Sequence, residues 1–397
     1  MPGNNWFFSG GAAMPRVQGV NNTKSAPPSN AFVASWSARS EARAGGLSRW
    51  TRNRFRDAPE DRRNFHRSLP GYAVTPLVDL PELARELGVA RLMVKDESSR
   101  LGLPAFKMLG ASWAVYRCVA QLCEDAPEPT LAALREAVSG LPPITLVTAT
   151  DGNHGRAVAR MASYLGLRAL VLIPSAVSTE AINLVRSEGA DVDVLELTYD
   201  ETVAEAARRA ENSANGSTTI LVQDTSWTGY EKVPRWIVDG YSTLFDEAAD
   251  QLPADRTLLI VPAGVGSLAH AAVLQCHRHA GWRAITVEPE VAPCIAASLA
   301  AGVPVSTGTG QTTMAGLNCG TPSSLAFSDL LATLDGGVWV TDDEAAAASD
   351  ALAAHGIDAG ACGAASLAGL RHLAAFDEVR RTFEHSTVLL LNTEATR

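Results

Sequence analysis

Leu258-Leu259-Ile260-Val261-Pro262-Ala263-Gly264-Val265-Gly266-Ser267 is the stretch on which the fold turns. Leu258 to Val261 is an apolar, branched run, short enough for a buried strand and too short for a helix. Gly264 and Gly266 then allow a tight turn, and Leu268 to His279 carries helical spacing. A strand that passes through a glycine loop straight into a helix is the building unit of an α/β sheet, and ligands collect at such junctions. The loop's backbone N–H groups, assisted by the helix dipole, would converge on a phosphate. The spacing also satisfies G-x-G-x-x-G/A, and Glu288 follows about twenty residues later at the end of the next strand, as in a dinucleotide site. A plain turn is the third reading, and the loop alone leaves all three open.

The same alternation runs along most of the chain. Leu92 to Lys95 precedes an amphipathic segment from Met108 to Cys123, Ile144 to Thr148 precedes Arg156 to Leu165, and Ala169 to Ile173 precedes Glu180 to Glu188. Further short apolar runs lie at Val192 to Leu195, Ile220 to Val222, Ala284 to Val287 and Val388 to Leu391. Buried strands separated by helices predict an α/β protein with mostly parallel sheets. Residues 1–50, rich in Gly, Ser, Asn, Pro and Ala, read as a poorly ordered or surface-draped arm. The basic run from Arg49 to Arg67 reads as a solvated helix face.

Composition narrows the function. The 397 residues are long enough for roughly two or three domains, and 46% hydrophobic with 19% charged residues is a globular balance. Forty-three acids against 33 bases give a net charge of −10, which repels nucleic acid and anionic membrane. An anionic ligand must then be caught by local dipoles and donors. The six cysteines are scattered without a C-x-x-C pair, which predicts a reducing cytoplasm and no metal site. Met1 to Val20 lacks the basic start and apolar core of a secretory signal, and Leu258 to Leu274 is too interrupted to span a membrane.

Other strand ends carry reactive residues. Lys95-Asp96-Glu97-Ser98 leads to Phe106-Lys107, where Lys107 opens an apolar helix. A helix start disfavours an ammonium, which would help a lysine become a free amine for Schiff-base chemistry; a lysine reaching to solvent is the plainer alternative. Thr150-Asp151-Gly152-Asn153-His154-Gly155 offers a base, an amide and an imidazole in one loop, with Asp151 as a simple cap and His154 as a structural histidine the plainer readings. Gln223-Asp224-Thr225 adds a second carboxylate, and Asn392-Thr393-Glu394 ends the final apolar run.

Taken together, Phe106-Lys107, the Asp-Gly-Asn-His-Gly loop and the Gly264-Val265-Gly266 loop resemble, in that order, the fold type II pyridoxal-phosphate enzymes. Asp151 stands where most of that group carries a serine. With Gln223-Asp224-Thr225, Gly229-Tyr230, Val287-Glu288-Pro289 and Met314-Ala315-Gly316-Leu317, residues 70 to about 395 resemble the diaminopropionate ammonia-lyases. The resemblance implies pyridoxal 5'-phosphate as cofactor, an amino acid as substrate and a homodimer. It implies two α/β domains, with 51–109 and 206–397 forming the large one and 110–205 inserted as the small one. The reaction it implies is α,β-elimination from a β-amino-substituted amino acid such as 2,3-diaminopropionate, through an aminoacrylate to pyruvate and ammonia. β-Replacement on another β-substituted amino acid is the alternative.

The resemblance also assigns roles. Lys107 would hold the cofactor and act at Cα, with Phe106 beside it. Asn153 would face the ring hydroxyl, Gly264, Val265, Gly266 and Ser267 the phosphate, and Thr393 the pyridine nitrogen. Asp151 would be a second base on the opposite face, and Asp224 would meet the substrate's distal ammonium. Thr150 and Thr225 complete the implied substrate site. The chain departs from the family pattern at Ala359-Gly360-Ala361-Cys362-Gly363, where a glutamate is usual, and at Gly320-Thr321-Pro322, where an acid precedes the proline.

Overall fold

The computed structural model describes residues 31–33, 59–212, 217–252, 256–375, 380 and 385–396. Its helices are α1 (Pro59–Arg67), α2 (Pro81–Leu87), α3 (Lys107–Ala120), α4 (Leu131–Ser139), α5 (Asn153–Leu165), α6 (Thr179–Ser187) and α7 (Tyr199–Glu211). They continue as α8 (Lys232–Gln251), α9 (Ser267–Arg278), α10 (Cys294–Ala301), α11 (Ser324–Thr333), α12 (Asp342–Ala353) and α13 (Ala361–Ala374). The strands are β1 (Ala31–Val33), β2 (Leu77–Asp79), β3 (Arg91–Asp96), β4 (Ile144–Ala149), β5 (Arg168–Pro174) and β6 (Asp191–Leu195). The rest are β7 (Thr218–Leu221), β8 (Thr257–Pro262), β9 (Trp282–Pro289), β10 (Gly336–Val340) and β11 (Thr387–Asn392).

One sheet has the order β1-β10-β9-β8-β11-β3-β2 and the other β6-β5-β4-β7. The five inner strands of the larger sheet are parallel, with β1 and β2 antiparallel at its edges. Every pairing in the smaller sheet is parallel. Parallel neighbours need crossovers, and the intervening helices supply them. Every residue of β8, β10 and β11 is buried, which is why β8 and β11 read as apolar runs without alternation. The expected α/β class with mostly parallel sheets is the observed one. No helix among the described residues is long and apolar enough to cross a membrane.

Two sequence expectations need correction. The smaller sheet does not close at residue 205: β7 pairs with β4 from Ile144↔Thr218 to Val147↔Leu221, so this unit runs at least to Leu221. The run at Ile220 to Val222 marks this strand in the sequence, but nothing local to it says which sheet it joins. The basic run ending at Arg67 is only in part a solvated face where it is described: Arg67 is exposed, but Arg62 and His66 turn inward. Arg62 is buried against Asp246 and donates to Thr243 Oγ1 at 3.0 Å, while His66 links Thr243 to the Leu109 carbonyl. Burial pushes the His66 imidazole down to about 3, so it is neutral. Residues 49–58 of that run and most of the arm lie outside the described residues; within the arm, Ala31–Val33 adds an edge strand to β10.

Two features hold the frame behind the cleft. Helices α3 and α8 cross at Gly110 and Gly240, where a Cβ on Gly240 would strike the Leu109 carbonyl. Beside them lies a buried charge cluster. Lys95 Nζ donates to Thr75 O at 2.7 Å and Gln251 Oε1 at 2.8 Å, and pairs with Glu247 Oε2 at 3.1 Å. Arg100 forks onto both oxygens of Glu97, at 2.7 and 2.6 Å, and both of Glu247, at 2.9 and 2.7 Å. Tyr72 and Thr75 donate to the same two carboxylates. Two cations face two anions here with their donors satisfied, the condition under which buried charge is tolerated. The Lys95-Asp96-Glu97 stretch thus braces β3 against α8.

Candidate active site

Each reactive stretch lies where a strand ends. β3 leads through residues 97–106 to Lys107, β4 to Thr150 through Asn153, β7 to Asp224, β8 to the glycine loop and β11 to Thr393. These ends belong to both sheets, and three hydrogen bonds tie them across one cleft.

The first is Lys107 Nζ to Asp224 Oδ2 at 2.7 Å. Burial works against the ammonium, and the Asp224 carboxylate outweighs it, so Lys107 lies above the ordinary lysine range. Asp151 acts on it in the same direction. Burial alone would raise Asp224; Lys107 reverses that and holds the carboxyl at about 2. This corrects the expectation of a free amine, because a carboxylate in direct contact outweighs a helix dipole. The Phe106 ring lies 5.5 Å from Lys107 Nζ and packs on Tyr241, with centroids 4.7 Å apart.

Asp224 is held from behind as well. Gln223 accepts from Thr148 Oγ1 and Ala149 N, and donates to Tyr199 Oη at 3.2 Å and Asp224 Oδ1 at 3.3 Å. Tyr199 is thereby placed beside Asp224 and Asp151, its phenol raised by burial and by those carboxylates. His154 bonds the Val222 carbonyl at 2.8 Å through Nε2, with Nδ1 4.0 Å from Asp224, and burial lowers its pKa. Thr150 turns inward, its hydroxyl accepting from Gly152 N at 2.9 Å and Gly155 N at 3.1 Å. Thr225 follows Asp224 in a half-buried position.

The second cross-link joins Asp224 to the glycine loop, Ser267 Oγ donating to Asp224 O at 2.8 Å. Gly266 adopts φ +97°, a left-handed conformation that glycine takes readily, and it aims the chain into α9. A Cβ on Gly264 would lie 2.9 Å from Cys319 Sγ and 3.1 Å from Gly316 O. Val265 accepts from Ser323 N at 2.8 Å, which fixes the loop's outer side. The dinucleotide reading is overturned by Glu288. Both its oxygens accept backbone N–H groups at the start of α10, Ile295 at 2.7 Å and Ala296 at 2.8 Å. Full burial raises this carboxyl to about 8, and it caps a helix with no reach toward a ribose.

The third cross-link is Asn153 Nδ2 to Glu394 Oε2 at 2.6 Å. Thr393 is buried beside it, with its carbonyl accepting from Phe106 N at 3.3 Å, so β11 and the approach to Lys107 are stitched together. The structure therefore gathers Phe106, Lys107, Asp151, Asn153, Asp224, Gly264 to Ser267 and Thr393 around one cleft. Sequence reading missed Tyr199, Tyr241, Cys319 and Glu394. Glu394 follows Thr393 at the end of the final apolar run, and that strand end is its signal; Tyr241 lies in mid-helix with no local signal.

A pyridine-ring phosphate fits this donor set. Backbone amides at the start of α9 suit the phosphate, the lack of a side chain at Gly264 lets the loop pack tightly against Cys319 and Gly316, and a half-buried lysine faces a carboxylate. The chain matches the family described as pyridoxal-phosphate dependent enzyme over residues 69–394. It is 41% identical to the diaminopropionate ammonia-lyase of Salmonella typhimurium over 276 residues, 66% of this chain and 67% of that protein. Among solved structures it is similar to holo diaminopropionate ammonia lyase from Escherichia coli, with a TM-score of 0.76 and 32% identity, covering 85% of this chain and 88% of that chain. The same Escherichia coli enzyme in complex with an aminoacrylate-PLP azomethine reaction intermediate matches at TM-score 0.73 and 32% identity, again over 85% and 88%. With all five strand ends inside the matched stretch, the chain belongs to the pyridoxal-phosphate dependent enzyme family and, within it, to that of the diaminopropionate ammonia-lyases.

Proposed function

We propose that this protein is a lyase acting on 2,3-diaminopropionate, which with one water gives pyruvate and two ammonia molecules. Pyridoxal 5'-phosphate, the cofactor of the family, supplies when bound an electron sink for charge developing at Cα. Lys107 provides the amine that holds it and carries a proton at Cα on one face. Gly264, Val265, Gly266 and Ser267 bind the phosphate, Asn153 donates to the ring hydroxyl, Phe106 packs beside the site and Thr393 meets the pyridine nitrogen.

The observation that carries the reading is the contact of Lys107 with Asp224, to which Asp151 adds negative field. Asp224 contacts Lys107 at 2.7 Å and Asp151 acts on the same ammonium, an arrangement suited to a substrate with two amino groups. In the cofactor-free chain Asp224 holds Lys107 as an ammonium; once Lys107 is committed to the cofactor, Asp224 is left without its cation and accepts the substrate's distal ammonium. Asp151 then serves as base on the face opposite Lys107, so both enantiomers are handled. Thr150 and Thr225 flank the two carboxylates in the substrate site. The division into a small inserted unit and a large remainder, a homodimer and a cytoplasmic location with six free cysteines go with this reading. Nothing in the site favours capture of the product by a second nucleophile.

The test is pyruvate release from D- and L-2,3-diaminopropionate with no added nucleophile. Turnover only with a second substrate would overturn the proposal. Asp151→Asn is expected to reduce activity on one enantiomer by about 100-fold more than on the other; equal losses would remove Asp151 from the single-face role.

A further inference from the structure

We propose that Glu394 is a positioning residue that fixes the side-chain amide of Asn153 with its N–H edge toward the cofactor. The proposal rests on the cofactor assignment and is independent of which amino acid is the substrate.

Asn153 opens α5 in the smaller sheet's unit, and Glu394 follows β11 in the larger sheet. Their 2.6 Å hydrogen bond therefore spans the cleft. Glu394 is 6% exposed and its backbone is pinned on two sides: Gly360 N donates to its carbonyl at 2.9 Å, and it bridges to Ala105 just before Phe106 and Lys107. A carboxylate there is held by the fold, not by the ligand.

An asparagine amide has an oxygen edge and a nitrogen edge of nearly the same shape, so packing alone does not choose between them. A carboxylate does choose. Its oxygens only accept, so the amide oxygen is repelled and Nδ2 is drawn to Oε2. With one N–H committed to Glu394, the second N–H of the same nitrogen remains for the ring hydroxyl, where a donor stabilises the ionised form. Were the amide flipped, an oxygen would face that hydroxyl instead. Glu394 acts entirely through Asn153 in this scheme.

The experiment titrates the apo form of the full chain with pyridoxal 5'-phosphate, reading affinity and the share of the bound cofactor's long-wavelength absorption across pH. Glu394→Gln is expected to weaken binding about tenfold and to lower the long-wavelength share, and Glu394→Asp to restore part of both. In an Asn153→Ala background, Glu394→Gln should change neither. The exchanged pair, Asn153→Asp with Glu394→Gln, keeps a hydrogen bond between the two positions but turns an acceptor toward the cofactor. It should remain as poor as Asn153→Asp. Wild-type affinity and spectrum in Glu394→Gln would overturn the proposal, as would an equal loss in the Asn153→Ala background or full rescue by the exchanged pair. If Glu394→Gln does not fold, Glu394→Asp decides: a loss of affinity and long-wavelength share that disappears in the Asn153→Ala background supports the proposal, and wild-type values or an equal loss in that background overturn it.

Discussion

Lys95 and Lys107 are twelve positions apart and both ion-paired to a carboxylate, and their surroundings differ in kind. Lys95 is fully buried, has three acceptors and belongs to a cluster in which each carboxylate is claimed by more than one donor. Lys107 leaves 22% of its side chain exposed, and its direct carboxylate contact, Asp224, faces the cleft. The first cluster is closed: no arriving group can make a better bond than those already present. The second is unfinished, since Asp224 faces the cleft and can take a new cation once Lys107 is withdrawn from it. What separates a brace from a reactive site here is the number of partners per charge and their access to water.

The contrast is strongest for Lys107→Ala, which should lower turnover about 10⁴-fold or more while shifting thermal stability far less than loss of the brace. Steady-state kinetics beside a melting curve checks both halves. Residual turnover above about a tenth of wild type would break the comparison. Arg100→Leu should cost about 3–5 kcal/mol of stability by urea unfolding, because Glu97 and Glu247 are left buried without their fork. Turnover per folded molecule should change by less than about threefold. A stable variant with lost activity would show that the brace takes part in the chemistry.

Glu288→Gln sharpens the comparison with a smaller effect. A carboxyl held at about 8 in the folded chain, against an ordinary 4.5, keeps a proton that the unfolded chain has released. Its stability contribution is whole below about pH 4.5 and is lost as pH rises toward 8. The glutamine does not titrate, so the variant should be about 1–2 kcal/mol weaker at pH 5, where a backbone acceptor is gone, and close that deficit by pH 8. A deficit that widens with pH would contradict a protonated Glu288.

The parallel strands were legible because burial on both faces writes itself as short apolar runs, as at Leu258 to Val261 and Val388 to Leu391. β10 was not, since it opens with Gly336 and Gly337; a side chain at Gly337 would press on Thr286 and on Ala296 of α10, so packing demands a residue that propensity reads as loop. β7 was found as an apolar run but assigned to the wrong sheet, because pairing partners are not encoded locally. Within the site, Lys107, Asp151, Asn153, Asp224 and the glycine loop lie next to strand ends and glycines, where sequence marks a junction. Tyr199 and Tyr241 reach the cleft from helices, and only tertiary packing brings them there. The charge state of Lys107 was misjudged because Asp224 lies 117 positions away in the chain.

β11 lies in the interior of the larger sheet, between β8 and β3, though it is the last of its strands in chain order. Its partners in β3 precede it by nearly three hundred residues, so the central seam closes only after an unusually long loop has been brought together. During synthesis on the ribosome, β3 and β8 must wait with bare edges facing each other, a period of exposure to mispairing that a chaperone would shorten. Thr393 and Glu394 arrive with the same strand. The contacts proposed for Thr393 and Glu394 at the cofactor site are therefore available only once β11 is in place, and a cofactor that binds through them favours the fully formed chain.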